Sequence, residues 1–243
     1  MKRIFLEDLS GDSVTISGND ARHLAYSLRA KRGDKITAVD KGGKCAVIEL
    51  VDFNNDTIKA RRVSELGKIS DVKKIILADC LPKGTRFDSI IEKATELGVM
   101  KIAPLISDFT IARPGGSRAQ SKIERWRRIA KESAEQCARD TITEIDDIKT
   151  LDEWLAEIAP LNSDTLLLFC WESERETTVR EILSVNRDKN IVVLIGPEGG
   201  FSEREVAKIK SAGGVSVTLG ERILKTDTAA ISVLAMINYE SMG

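Results

Sequence analysis

Hydrophobic and polar positions follow two rhythms along this chain. Over residues 1–70 the rhythm is short and has a period of two. Ser13-Val14-Thr15-Ile16-Ser17 alternates strictly, as a half-buried strand does. Lys35-Ile36-Thr37-Ala38-Val39-Asp40 also alternates, and Lys41-Gly42-Gly43-Lys44 then turns into Cys45-Ala46-Val47-Ile48-Glu49-Leu50. This spacing predicts a hairpin with a glycine-containing loop. Thr57-Ile58-Lys59-Ala60-Arg61-Arg62-Val63 predicts a further strand. A single helix is predicted over 18–30, with Asn19 or Asp20 as N-cap. Several short strands with one helix predict a small β-barrel. Residues 66–71 read as the linker that follows it.

From Lys73 onward, strands alternate with helices. Residues 74–79 predict a strand. Phe87, Ile90, Ile91, Ala94 and Leu97 recur at helical spacing, and Gly98 stops that helix. Residues 101–106 predict a second strand, which Pro104 makes an edge or an irregular one. Ser121-x-x-Glu124 predicts a capping box that opens a helix through Cys137, with Ile123, Trp126, Ala130 and Ala134 inward. Residues 166–170 and 191–195 are continuous apolar runs, the pattern of parallel strands buried on both faces. Ser202-x-x-Glu205 predicts another capping box, and Gly213-Gly214 ends that helix. A last strand is predicted over 215–219 and a final helix over 228–239. The fold class is therefore α/β, with a small β-domain at residues 1–71 before an α/β domain at residues 72–243.

Two glycine-punctuated loops follow buried strands here. One is Leu194-Ile195-Gly196-Pro197-Glu198-Gly199-Gly200-Phe201-Ser202; the other runs from Leu219-Gly220-Glu221-Arg222 to Ala229-Ala230. In an α/β sheet such loops lie at the carboxyl ends of strands, where ligands bind. Together they predict one small-molecule pocket built largely from backbone. The first loop lacks the Gly-Lys-Ser/Thr ending of a Walker A motif and is not GxGxxG. On spacing alone it could cradle phosphate or simply make a tight turn.

Composition narrows the chemistry. The chain has 243 residues, 42% hydrophobic and 31% charged, and a net charge of −1, as in an ordinary soluble domain. No apolar run reaches membrane-spanning length and no signal peptide is evident, so a cytoplasmic location is expected. Cys45, Cys80, Cys137 and Cys170 form no CxxC pair, and His23 is the single histidine. No metal site is expected, and His23 reads as structural. Basic clusters stand out: Arg29, Lys31, Arg32 and Lys35; Lys59, Arg61 and Arg62; and seven Lys/Arg between Arg113 and Lys131. Such faces suit a polyanion or are simply solvated.

The segments LIGPEGGFSEREV and LGERILKTDTAAI resemble the two signatures of the RsmE-type 16S ribosomal RNA uridine-N3 methyltransferases, of the SPOUT class. The resemblance extends to Arg22-His23-Leu24 with Leu28-Arg29 and Gly33-Asp34. It also takes in Lys83-Gly84 through Val99, and Glu135-Gln136-Cys137-Ala138-Arg139. Lys225 and Asp227 stand where the family usually has arginine and glutamate. The resemblance implies a PUA-like barrel, then a parallel-sheet domain with a trefoil knot, in a homodimer. It implies S-adenosylmethionine as cofactor and 16S rRNA or the small ribosomal subunit as partner, with no membrane and no metal.

Cofactor-binding residues would be Phe169, Trp171, Leu194, Ile195, Gly196, Pro197, Glu198, Gly199, Leu219, Gly220, Arg222, Ile223, Leu224, Thr226, Thr228 and Ala229. Cys170 would lie beside Phe169 and Trp171. Arg139 and Glu198 would be catalytic. Arg22, Arg29, Lys31 and Arg32 would meet RNA phosphates. A non-catalytic RNA-binding protein that kept the fold, and a nucleotide-binding enzyme, are the rival readings.

Overall fold

The computed structural model describes residues 2–9, 11–54, 56–66 and 74–241. The chain divides into two compact units: Met1–Asp71 with Lys131–Ile142, and Val72–Ala130 with Thr143–Gly243. Most of the predicted linker lies outside the described residues. Leu66, its first residue, instead closes a strand.

The first unit holds a five-stranded sheet. Its strands are β1 (Arg3–Leu6), β2 (Ser13–Ser17), β3 (Lys35–Asp40), β4 (Cys45–Asn54) and β5 (Thr57–Leu66), in the order β1-β3-β4-β5-β2. The predicted hairpin is the antiparallel β3–β4 pair, with Val39 opposite Cys45. Inward positions of each strand converge on one core that includes Ile4, Ile16, Ile36, Ile48, Leu50 and Ile58. The predicted helix is shorter and different in kind. Helix α1 (Gly18–Arg22) is followed by a π-helical turn over His23–Ser27. Its N-cap is Ser17, which makes no side-chain cap bond, so Asn19 and Asp20 lie inside the helix rather than at its cap. Gly18, at φ +62°, takes the left-handed conformation that glycine tolerates and lets the chain leave β2 at once.

Residues 131–142 belong to this first unit, although the sequence pattern continues the long helix before them. Ala134 joins Phe5, Val39 and Cys45 in a small apolar cluster. Arg3 pairs with Asp140. The nearly buried Glu135 accepts a bond from the Phe5 N–H at 3.1 Å. Burial, ahead of any neighbouring charge, pushes the Glu135 carboxyl up to about 7.

The second unit is an α/β layer. Its strands are β6 (Ile75–Cys80), β7 (Lys101–Ile106), β8 (Glu144–Ile145), β9 (Lys149–Thr150), β10 (Thr165–Cys170), β11 (Asn190–Ile195) and β12 (Val215–Val217). The order is β12-β10-β11-β6-β7-β8, with β9 also on β7, and every pairing is parallel. Strand β7 is not an edge. Pro104 sits on it between the residues paired to β8 and those paired to β9, so its missing N–H falls in the gap between two short partners.

Helices α2 (Arg86–Glu96), α3 (Ser117–Gln136), α4 (Leu151–Ile158), α5 (Val179–Ser184), α6 (Glu203–Ser211) and α7 (Thr226–Ser241) complete the chain. Helix α3 starts a turn before the predicted capping box. The Ser121 hydroxyl donates to the Ser117 carbonyl within the helix, while Gly116, at φ +55°, makes the entry. Trp126 on α3 is buried against Phe87, with ring centroids 4.6 Å apart.

Candidate functional site

A cleft of about 450 Å³ opens at the carboxyl ends of β10, β11 and β12, within the usual size range of small-molecule sites. Three loops build it. The loop after β11 reverses at Pro197, whose carbonyl accepts from the Gly200 N–H at 2.9 Å. It then enters α6 through a complete capping box of Ser202 and Glu205. Glu205 is 1% exposed and also accepts the Asp108 N–H at 2.8 Å. The Asp108 carboxylate takes the Ser202 hydroxyl at 2.6 Å and Arg204 at 2.7 Å. Those bonds, Arg204 first, hold Asp108 below the usual carboxylate range. The glycine loop is thereby fixed to the turn after β7.

The loop after β10 is fixed by Glu174. One of its oxygens accepts the N–H groups of Arg175, Glu176 and Thr177. The other accepts the Ser216 hydroxyl at 2.6 Å. The Ser216 bond, followed by those backbone bonds, pulls the Glu174 carboxyl down to about 2. The loop after β12 begins at Thr218, whose hydroxyl accepts the Gly220 N–H at 3.2 Å. Gly220, at φ +116°, redirects the chain toward α7.

Most of the cofactor-binding residues expected from the sequence meet in this cleft. Trp171, Ile195, Gly196, Pro197, Glu198, Gly199, Leu219, Gly220, Arg222, Ile223, Leu224, Thr226 and Ala229 line it. Phe169 and Leu194 lie behind the lining, fully buried in the core of the unit, and Thr228 is exposed outside it. Cys170, Glu172, Arg175, Gly200, Thr218 and Lys225 line it as well. Glu172 and Arg175 fall in a polar stretch with no periodic signal. Only their position just past a buried strand hinted at them.

The glycines of the first loop are packed closely against its neighbours. A Cβ on Gly196 would lie 3.1 Å from the Phe201 ring, and one on Gly199 would lie 3.0 Å from the Phe109 Cβ. Gly200, at φ +68°, would direct a Cβ onto the Glu172 carboxylate. The loop's glycines thus press against its own aromatic and acidic neighbours, and its backbone borders the cleft.

Charge around the cleft is mixed. Glu198 accepts from the Lys83 N–H at 3.0 Å and from Arg86 at 2.8 Å. Asp79, at the end of β6 opposite Ile195, is fully buried, and neither carboxylate oxygen has a partner among the described residues. Burial first, then Glu198 and Asp227, pushes its pKa well above the usual carboxylate range. Burial likewise raises the Cys170 thiol to about 12 and the Cys80 thiol further. A raised thiol pKa disfavours the thiolate, the nucleophilic form. Among the described residues, no group of three or more His, Cys, Asp or Glu could hold a metal ion.

The remaining expected residues lie in the first unit. Arg139 follows α3, where Ala138 takes φ +59° and the Arg139 N–H closes on the Ala134 carbonyl at 2.9 Å, a left-handed helix cap built without glycine. Its guanidinium donates to Thr141 at 3.3 Å, and burial lowers its pKa. Arg22, Arg29, Lys31 and Arg32 are all exposed. Arg22 pairs with Asp56 at 3.0 Å.

The family profile described as RNA methyltransferase domain matches residues 70–238. The ribosomal RNA small subunit methyltransferase E of Bacillus subtilis is 28% identical, over 99% of this chain and 97% of that protein. Its counterpart from Synechocystis is 32% identical, over 96% of this chain and 75% of that protein. The crystal structure of the Neisseria gonorrhoeae enzyme of that name, bound to S-adenosyl methionine, superposes with a TM-score of 0.88. It is 29% identical, over 98% of this chain and 97% of that one. A putative methyltransferase from Legionella pneumophila, in complex with the same cofactor, superposes with a TM-score of 0.84 at 27% identity, over 98% and 96% of the two chains. With matches that run the length of both units, this chain belongs to the RNA methyltransferase family, among the relatives of ribosomal RNA small subunit methyltransferase E.

Proposed function

We propose that this protein transfers a methyl group from S-adenosylmethionine to N3 of a uridine in 16S rRNA of the small ribosomal subunit. One observation carries the reading. The two signature loops line a single cleft of suitable size, in a chain that superposes closely on a relative crystallised with that cofactor. Backbone at 195–199 and 219–226 would hold the adenosine and methionine portions, with Trp171 and Ala229 alongside. The bound cofactor supplies an activated methyl; binding, orientation and proton handling fall to the chain.

Uracil N3 is a poor nucleophile while protonated, so its proton must leave and the charge that develops on the ring oxygens must be stabilised. Arg139 is assigned the stabilising role. Glu198 is assigned to cofactor positioning or to proton removal. N3 lies on the pairing edge of the base, so the target must be unpaired or flipped out.

The finer architecture belongs to this reading: a trefoil knot in the second unit, a PUA-like barrel in the first, and a cytoplasmic homodimer. A groove lined by Thr178, Met236 and Tyr239 supports a dimer face, because it shares Thr218, Leu219 and Gly220 with the cleft. No helix among the described residues is long and apolar enough to cross a membrane.

A nucleotide-phosphate site fits less well. The first N–H groups of α6, where a phosphate would dock, face the chain's own Ser202 hydroxyl and acidic first turn. A non-catalytic RNA-binding protein would need neither cofactor nor turnover. Calorimetry with S-adenosylmethionine, then mass mapping of 16S rRNA from a strain lacking the protein, tests the proposal. Absence of cofactor binding removes it, and an unchanged uridine methylation pattern removes the assigned substrate.

A further inference from the structure

The π-helical turn at His23–Ser27 presents a side chain that neither the fold nor the cleft uses. Tyr26 is 76% exposed, an unusual state for a tyrosine on a structured turn. Leu24, two residues earlier, is fully buried and anchors the turn in the core. The turn is closed by the Leu28 N–H on the His23 carbonyl at 3.0 Å and the Ala30 N–H on the Leu24 carbonyl at 2.9 Å. A π-turn carries an extra residue and persists mostly where a site needs it.

The strain continues into Arg29, which takes φ +48° without being glycine. Left-handed backbone at a long side chain is uncommon and clusters at functional positions. Here it occurs where the chain presents charge. Residues 21–33 contain Arg22, Arg29, Lys31 and Arg32 and no carboxylate. The two flanking acids each accept a hydrogen bond: Asp20 from Lys131, and Asp34 from the Lys31 N–H at 2.9 Å. Arg29, Lys31 and Arg32 are exposed.

We infer that Tyr26 is a stacking platform for an unpaired nucleobase, with Arg29, Lys31 and Arg32 gripping the phosphates on either side of it. The inference rests on the RNA-binding reading of this chain and adds to it a contact by ring face rather than by charge. The chemistry selects the occupant. An exposed aromatic ring in a segment whose own charged side chains are all cations matches a polyanion whose flat apolar faces are available. Single-stranded RNA has such faces and an A-form duplex hides them. A protein partner would leave the cations to be matched by carboxylates.

The test uses the full-length protein and two fluorescently labelled probes, a single-stranded oligouridine and a blunt-ended RNA duplex of equal length. Binding is followed by anisotropy across a salt series. Tyr26→Ala should weaken oligouridine binding on the order of 10-fold, the usual scale for one lost stacking partner. Its log affinity against log salt slope should not change, because no phosphate contact is lost. Tyr26→Phe should keep the affinity. Neither change should affect binding of the duplex. Arg29→Gly with Arg32→Ala should instead flatten the salt slope for both probes.

Oligouridine affinity unchanged in Tyr26→Ala overturns the stacking role alone. So does an equal loss in Tyr26→Ala and Tyr26→Phe, and so does a change in sedimentation rather than in affinity, which would assign Tyr26 to a contact between copies. If the unaltered protein binds neither probe, the inference falls together with the RNA-binding reading.

Discussion

Arg86 and Glu198 join two loops that lie far apart in the sequence. Arg86 Nη1 donates to Glu198 Oε1 at 2.8 Å, and the same oxygen accepts the Lys83 N–H at 3.0 Å. The glycine loop after β11 is thereby tied to the turn between β6 and α2. An ion pair this exposed contributes little to folding, so its value lies in holding the loop. Arg86→Ala and Glu198→Ala should each weaken S-adenosylmethionine binding about fivefold, and the double variant should be little worse than either. A coupling on the order of 0.5–1 kcal/mol in a calorimetric double-mutant cycle is the expected result. Strict additivity would show that the two side chains act separately on the cofactor.

The packing of Gly199 leads to a second expectation. Its missing Cβ is required by Phe109, whose own Cβ would sit 3.0 Å away. Gly199→Val should therefore distort the loop and reduce cofactor binding at least 10-fold. Phe109→Ala keeps the offending carbon and should not rescue it. Phe109→Gly in the Gly199→Val background should restore part of the affinity, measured by calorimetry on protein of matched thermal stability. Equal affinity in the Ala and Gly double variants would mean that the valine acts on the ligand directly.

Much of this arrangement was legible in the sequence, because strands buried on both faces have few alternatives. Residues 191–195 and 166–170 are apolar at every position, and they are β11 and β10, paired Phe169 to Leu194. The Ser202 box was legible because it satisfies local N–H groups with local side chains. What was hidden is tertiary. Pro104 predicts an edge or an irregular strand, and only the pairing of β8 and β9 on either side of it decides for the second. Asp79 reads as a strand end until its burial is known, and no local pattern connects Arg86 to Glu198. Residues 131–137 continue a helical pattern, and only contacts far away in the sequence, such as those of Phe5 and Arg3, draw residues 131–142 into the first unit. The Tyr26 turn reads as ordinary helix in the sequence, because a π-turn differs by one residue in a stretch of helical composition.

Glu135 should make stability depend on pH in a defined window. Its carboxyl has a folded value of about 7 against an ordinary 4.5. A raised folded value means that the folded state holds the proton more tightly. The stabilisation is complete below about pH 4.5 and is lost as pH rises toward about 7. The loss is roughly 2–3 kcal/mol over that span. Asp79, also raised by burial, acts with the same sign. Glu174, pulled down to about 2, acts oppositely and only under acid. Glu135→Gln keeps an oxygen for the Phe5 N–H and removes the charge. It should flatten urea-unfolding stability between pH 5 and pH 7 (roughly the span of that titration) and raise it at neutral pH. An unaltered pH slope would assign the titration to another group.

Arg139 carries the chemical prediction. It is held by a helix cap in which Ala138 takes left-handed φ and the Arg139 N–H bonds the Ala134 carbonyl. Such a cap fixes where the side chain starts. Ala138→Gly should relieve strain and stabilise the protein by about 1 kcal/mol without disturbing that start. If Arg139 stabilises negative charge on the uracil oxygens, its planar fork matters beyond its charge. Arg139→Lys keeps the charge and loses the fork. Single-turnover methylation at saturating RNA and cofactor should then slow on the order of 10–1000-fold, the scale for losing one positioned electrostatic group. RNA affinity should change far less. The rate of the unaltered protein should rise with pH until removal of the N3 proton no longer limits it, and the variant should follow a parallel, lower curve. If Arg139→Lys lowers RNA affinity and leaves the saturated rate intact, Arg139 grips the RNA. The catalytic role then passes to Glu198 or to a group on a partner subunit.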